Sequence, residues 1–189
     1  MTLAAIVAPK GGRIHRLSVH VNPARNWEEA VRALPNTLRR NDNPMSDANW
    51  VWNIGRNYPP RNDPEGEKEI VLANFGSGPG SAISEVEFPL TQGEPYREET
   101  EVVLAWAGQN CLRSPDPRYC FAVGEHKPLL NEELGLNCMS LVTLNPRMLG
   151  DRALFCSVWY AGRGSRQAGV ETAHLGWWDH SWLLFVPEE

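Results

Sequence analysis

The stretch Lys68–Leu90, KEIVLANFGSGPGSAISEVEFPL, constrains the fold more than any other part of this 189-residue chain. Ile70, Leu72 and Asn74 would point to one face of an extended segment, and Glu69, Val71, Ala73 and Phe75 to the other. Both faces are apolar in the middle, the pattern of a strand buried on two sides. Phe75–Ser81 then holds three glycines and a proline within five residues, which is turn chemistry and neither helix nor regular strand. Ile83, Glu85 and Glu87 alternate with Ser84, Val86 and Phe88, as in an antiparallel strand. Gly76, Gly78 and Gly80 would cradle a phosphate only if a helix N-terminus came next. The following residues read as strand, so the glycines are assigned to the turn of a central hairpin.

These residues also carry a family resemblance. Val71–Phe88, with Asn74, Gly76, Gly78, Pro79 and Ala82 followed by Val86 and Phe88, resembles the core of bacterial immunoglobulin-like domains of the cell-adhesion-related type. There a strand runs into an Asn-x-Gly-x-small-Pro turn and then an x-Val-x-Phe strand. Tyr119–Val142 is similar to the downstream half, with a cysteine-containing strand at Tyr119–Val123, a polar loop with Asn131 and a closing strand. The resemblance spans roughly residues 49–142. It implies a β-sandwich used as a spacer or binding module, with no catalytic residues to carry over.

The rest of the chain agrees with a β-rich reading. Leu3–Ala8 is a short apolar strand or arm. Ile14–Val21 alternates with Leu17, Val19 and Val21 inward, and Asn22-Pro23 ends it. Asn26 caps a short helix, with Glu29 closing a capping box; Trp27, Ala30, Val31 and Leu34 form one apolar face and Pro35 stops it. Further strands are expected at Trp50–Ile54, Thr100–Ala107, Tyr119–Val123, Leu136–Leu144 and Arg152–Tyr160, with Asn131–Leu134 at most one helical turn. Ala161–Gly169 reads as a loop, and Val170–Trp178 with Trp182–Val186 as a final hairpin. The expected fold is a mainly β, antiparallel, immunoglobulin-like or jelly-roll-like β-sandwich with one short N-terminal helix. Residues 1–45 form a strand-helix arm or extension and 46–189 the sandwich domain. Fifteen prolines and 16 glycines, dispersed along the chain, favour many short strands with turns.

Charge divides unevenly. The net charge is −5, yet through Arg61 nine Lys/Arg stand against four Asp/Glu, and the remainder reverses that balance. A basic segment beside an acidic body complements acidic protein surface, its own or a neighbouring copy's. Without a basic-aromatic motif it does not point to nucleic acid. Fifteen of the 18 basic residues are arginine, a residue favoured at protein interfaces. No apolar run approaches the length of a membrane span. The N-terminal apolar run is too short for a signal peptide and has no basic residue before it, so the expected location is cytoplasmic as synthesised, or within an assembled particle.

Chemistry-bearing constellations are sparse. Cys111, Cys120, Cys138 and Cys156 lack zinc-ligand spacing. Cys111 and Cys120 flank a loop that an oxidising compartment could bridge, and free buried thiols are the default for Cys120, Cys138 and Cys156. Cys120 with His126 is a nucleophile–base pair lacking an orienting third group. His174, Asp179 and His180 lie around one turn without a recognised metal spacing. His15 and His20 fall on opposite faces of a strand. No metal or cofactor is implied. Of eight tryptophans, Trp177, Trp178 and Trp182 concentrate near the C-terminus, and because Trp177 and Trp178 are consecutive, one leaves the core face of a strand. A protein contact, a sugar-stacking platform and a covering second sheet each accommodate that. The expected function is a non-catalytic structural or interaction module, a subunit of a larger tail-like, fibre or capsid-associated assembly. Its partners are proteins, copies of itself included, and its contact candidates are Trp177, Trp178, Trp182, Arg39, Arg40, Arg163 and Arg166. The alternatives are a carbohydrate-binding module built on the C-terminal tryptophans and an enzyme of a type not evident from motifs.

Overall fold

The computed structural model describes residues 5–39, 47–76, 79, 81–82, 95–149, 152–172 and 180–188. The elements in chain order are β1 (Arg13–Val21), α1 (Trp27–Arg32), α2 (Asp47–Asn53) running into a 3-10 turn (Ile54–Asn57), β2 (Gly66–Asn74), α3 (Pro95–Gln109), β3 (Leu112–Arg113), α4 (Pro117–His126), α5 (Leu130–Glu133), β4 (Met139–Val142), β5 (Arg147–Leu149), β6 (Arg152–Ala161), β7 (Ser165–Thr172) and β8 (Ser181–Pro187).

The strands join in one sheet of order β1-β2-β8-β4-β6-β5, with β3 added to β8 and β7 to β6. β8 is central, because Leu183 pairs with Ala73 of β2 and with Val142 of β4. β4 and β5 act as one interrupted strand along β6, while Ser157 of β6 pairs with both Val142 and Gly169, so β7 lies on the opposite edge of β6 from β4. Most pairs are antiparallel, but β4 and β8 are parallel. The fold is therefore mixed α/β and rich in strand. Among the described residues helices, rather than a second sheet, cover the faces of this sheet.

Alternation along the strands explains the two-sided core. Ile70 and Leu72 join one apolar cluster with Val19, Val21, Leu141, Val158, Trp182 and Leu184, beneath Trp27, Val31, Val51, Ile54, Phe121 and Val123 of the helical layer. Val71 and Ala73 join the opposite cluster with Phe75, Phe155, Leu183 and Phe185, beneath Val103 and Ala107 of α3. Ile70, Val71, Leu72 and Ala73 are all 0% exposed, as expected for a strand covered on both sides. β1 and α1 also follow the sequence reading, except that Asn26 caps Glu28 and not Glu29, so the expected capping box is not the one formed. Val19 and Val21 are buried, the Asn26 side chain accepts from the Glu28 N–H, and Trp27, Ala30, Val31 and Leu34 face the core.

Three expected strands are helices. Trp50–Ile54 lies in α2 and its 3-10 extension, where Val51, Ile54 and Tyr58 recur at helical spacing and are buried. Thr100–Ala107 lies within α3: Val103 and Ala107 pack on the sheet one turn apart, whereas Leu104 is 44% exposed. Tyr119–Val123 lies in α4, whose N-terminus is set by the Asp116 cap and Pro117. Burial around much of α4 removes the polar stripe that would have marked it as a helix. Tyr119–Val123, one of the segments that carry the immunoglobulin-like resemblance, is thus helical. The loop expected at Ala161–Gly169 is only a short turn, since β7 begins at Ser165. The described part of the expected final hairpin separates: β7 pairs with β6, and β8 pairs with β2, β3 and β4. Ile83–Phe88, the second strand of the central hairpin, lies outside the described residues. Leu3–Ala8 does so in part, and Ala5–Ala8 form no regular element. No helix among the described residues is long and apolar enough to cross a membrane.

Candidate functional site

At the end of β1 the chain turns sharply into α1. The Ala24 N–H bonds the Asn22 side-chain oxygen and the Arg25 N–H bonds the Asn22 carbonyl, an Asx-type turn. This brings His20, Asn22, Arg25 and Glu29 against Arg118, Glu125 and His126 of α4 and Glu65 just before β2, around a cleft of about 330 Å3. One wall is an imidazole–carboxylate pair: His20 Nε2 lies 2.9 Å from Glu65 Oε1, and the Asn22 amide donates to Glu65 Oε2 at 2.7 Å. The Arg25–Glu125 ion pair also lines the cleft.

Arg118 forms the floor and is 2% exposed. Its guanidinium donates to Asp116 Oδ1 at 3.0 Å, to the Arg25 carbonyl at 2.7 Å and to the Tyr58 carbonyl at 2.9 Å. It also sits 5.4 Å from the centre of the Trp27 ring. Trp27 stacks on Tyr58 and meets Phe121 edge to face. The backbone of Gly55 presses on that indole so closely that a Cβ would stand 2.2 Å from it. Arg118 therefore ties three separated segments together, a role invisible to any local motif. Each guanidinium nitrogen of Arg118 has a protein acceptor, using three of its five N–H groups, which makes it first a structural charge.

A second cleft, about 490 Å3, is lined by Arg32, Leu34, Pro35, Thr37, Arg39 and Trp52. Arg39 is exposed there. Arg163 is exposed in the β6–β7 turn with φ 64°, and Arg166 is half-buried with its guanidinium donating to the Gly164 carbonyl. These three arginines lie in the 34–39 segment and around the adjoining β6–β7 turn, where the Asn36 N–H bonds the Arg166 carbonyl. Arg40, Trp177 and Trp178 lie outside the described residues. Trp182 is 1% exposed and packs in the helical-side core with Arg13 over its ring. It is a core residue, so it is withdrawn from the expected contact surface and from the sugar platform.

The thiol reading also changes. Cys120 is fully buried, donates to the Leu141 carbonyl, and its thiol is pushed well above its ordinary value by burial, with Cys156 nearby adding to the shift. His126 is six residues further along α4, about 240° around the helix, and opens into the cleft. The two do not form a catalytic pair. Cys111 and Cys120 are both free thiols. Among the described residues no group of three or more His, Cys, Asp or Glu is placed to hold a metal ion. His174 and Asp179 lie outside the described residues, while His180 meets Trp159 edge to face.

No family model, curated protein or solved structure matches the chain. The immunoglobulin-like resemblance therefore has no support from known relatives.

The two edges of the sheet differ in a way that bears on function. The β7 edge is covered: the Asn36 N–H bonds the Arg166 carbonyl, and the Ala168 N–H bonds Thr37 Oγ1. Among the described residues, β1 pairs with β2 alone, in a nine-residue ladder without a bulge from Arg13 opposite Asn74 to Val21 opposite Gly66. It contains neither proline nor lysine. A long regular edge without proline, lysine or a bulge, its charges limited to Arg13 and Arg16 and the histidines His15 and His20, is a template for another strand.

Proposed function

We propose that this chain is a non-catalytic interaction module that works as a subunit of a larger protein assembly. The outer edge of β1, unpaired among the described residues, carries this reading. Pairing a strand there would satisfy backbone groups that have no partner among the described residues and would extend the helical-side apolar face. The polar cleft favours the same reading by its saturation, because Arg25, Arg118 and Glu65 are engaged with neighbouring groups. Capture of the tagged protein from its native host, beside its hydrodynamic mass in isolation, tests this. Recovery in a defined complex supports it, and a stable, partnerless monomer contradicts it.

A second reading rests on the His20–Glu65 pair, in which a carboxylate orients an imidazole at the mouth of a cleft. That arrangement suits proton transfer to a small polar ligand. NMR titration of the His20 ring with and without a panel of small polar metabolites tests it. A ligand-dependent change in the ring resonances, lost in Glu65→Gln, favours an enzyme or ligand-binding protein.

A further inference from the structure

We propose that the partner strand on β1 is β1 of a second copy, paired antiparallel about Leu17, so that two sheets continue through a two-fold axis. This rests on the reading of the chain as an interaction module and names its partner. The strand sequence, RIHRLSVHV, is compatible with itself in this register. Leu17 would face Leu17, Arg16 would face Ser18, His15 would face Val19, Ile14 would face His20, and Arg13 would face Val21. All nine residues are used and no cation opposes a cation. Moving the axis to Arg16 sets the two Arg16 side chains against each other, and moving it to Ser18 opposes Arg16 to His20 and shortens the ladder.

The faces match as well. Leu17 and Val19 lie on the side of β1 that joins the helical-side core, with Leu17 only partly covered. Antiparallel pairing places the second copy's Leu17 directly against it, a cross-strand apolar pair. On the other face Arg16 and Ser18 are exposed. Arg16 lies 3.8 Å from Glu69 of its own β2, and Glu69 is the register partner of Ser18. Across the two-fold, Arg16 would therefore look over the short Ser18 side chain toward Glu69 of the second copy, two strand spacings or about 10 Å away in backbone terms. An arginine side chain covers that span. The excess of basic residues before Arg61 and of acidic residues after it is thereby complemented between copies as well as within each.

Sedimentation velocity of the full chain from about 1 to 100 µM, where a modest interface associates, reads the result directly. The expected outcome is a doubling of mass across this range. Ser18→Lys, which opposes a second cation to Arg16, should hold the protein at single-chain mass while leaving its melting curve in place. Register is read by cysteine pairing in a Cys111→Ser background. Leu17→Cys should oxidise to a covalent dimer, because directly opposed Cα atoms stand about 4.5–5.5 Å apart. Ser18→Cys should not, because its symmetry mate is displaced by two residues, about 8 Å away. A wild-type monomer throughout, a Ser18→Lys protein that associates like wild type, or equal cross-linking of the two cysteine variants overturns the self-pairing. A monomer that is nevertheless captured from its host with a different protein, and loses it on Leu17→Lys, overturns the self-pairing and leaves the interaction-module reading standing. A monomer with no captured partner overturns both.

Discussion

Replacing Arg118 with methionine removes the charge beneath the cleft while keeping most of the side chain's apolar length against Trp27. The guanidinium has three protein acceptors, the buried Asp116 carboxylate and the carbonyls of Arg25 and Tyr58. Deleting one partner of a buried ion pair costs about 3–5 kcal/mol, since the other charge stays in place. Two features bring the expectation to the lower end. Asp116 still accepts from the Arg118 backbone N–H at the α4 cap, and Arg61 stands 4.0 Å from its other oxygen. The two carbonyls, having lost a donor, add to the cost unless water reaches them. A loss of about 3 kcal/mol follows, and with a urea slope of about 2 kcal/mol per molar the unfolding midpoint falls by about 1.5 M. Equilibrium unfolding followed by tryptophan fluorescence measures this. Adding Asp116→Asn to Arg118→Met should recover about 1 kcal/mol, because it removes the stranded charge while keeping a cap. A single-mutant loss below about 1 kcal/mol, or a double mutant less stable than the single, would refute the assignment of Arg118 as a charged tie between segments.

Gly55→Ala drives a Cβ into the Trp27 ring, 2.2 Å from its nearest carbon, and should cost about 1–3 kcal/mol while changing the Trp27 environment in near-UV circular dichroism. Arg163 holds φ 64° in the β6–β7 turn, so Arg163→Gly should raise stability by about 0.5–1 kcal/mol in the same urea assay; a loss would mean that the arginine side chain holds the turn. Cys120 and Tyr160 are both kept neutral in the fold, chiefly by burial, with the thiol held above its ordinary 9.0 and the phenol above its ordinary 10.0. The unfolded chain therefore releases protons first on alkalisation. Stability should be full below about pH 9, then fall by up to about 1.4 kcal/mol per pH unit for each group as the solution passes the unfolded values. A flat profile from pH 8 to 10.5, or one that Cys120→Ala leaves equally steep near pH 9, would contradict this.

What the sequence disclosed depended on how evenly each element is buried. β1 and α1 each keep a polar face, so their periods of 2 and 3.6 are readable, and the Asn26 cap places the helix start. β2 is covered on both sides, yet its run of β-branched and apolar residues between turns was enough. α4 has the same continuous burial and was mistaken for a strand, although Asp116-Pro117 at its start was a helix signal in plain view. In α3 the Val102–Val103–Leu104 run imitated a two-sided strand, while Pro95 and the acidic residues after it marked a helix beginning.

Long-range placement was not legible. β8 is flanked by β2 and β4, far from the neighbour that local hairpin reasoning assigned to it. Arg118 meets Arg25 and Tyr58, 93 and 60 residues away, and no spacing rule connects them. The polar cleft was missed for the same reason: its residues come from the end of β1, the approach to β2 and α4, and only the assembled sheet brings them together. The basic character of the N-terminal third was legible, but its setting was not, since β1 belongs to the main sheet and carries that charge along an edge.

The central claim is that β1 is a pairing edge, and backbone hydrogen exchange across β1 tests it most directly. The amides from Arg13 to Val21 should divide into two alternating sets in the dilute protein, one protected by β2 and one exchanging fast. On raising the concentration into the associated range, the fast set alone should slow, with Ser18→Lys abolishing the effect. If the fast set exchanges at the same rate at every concentration and in complexes captured from the host, β1 is not the surface through which this protein works.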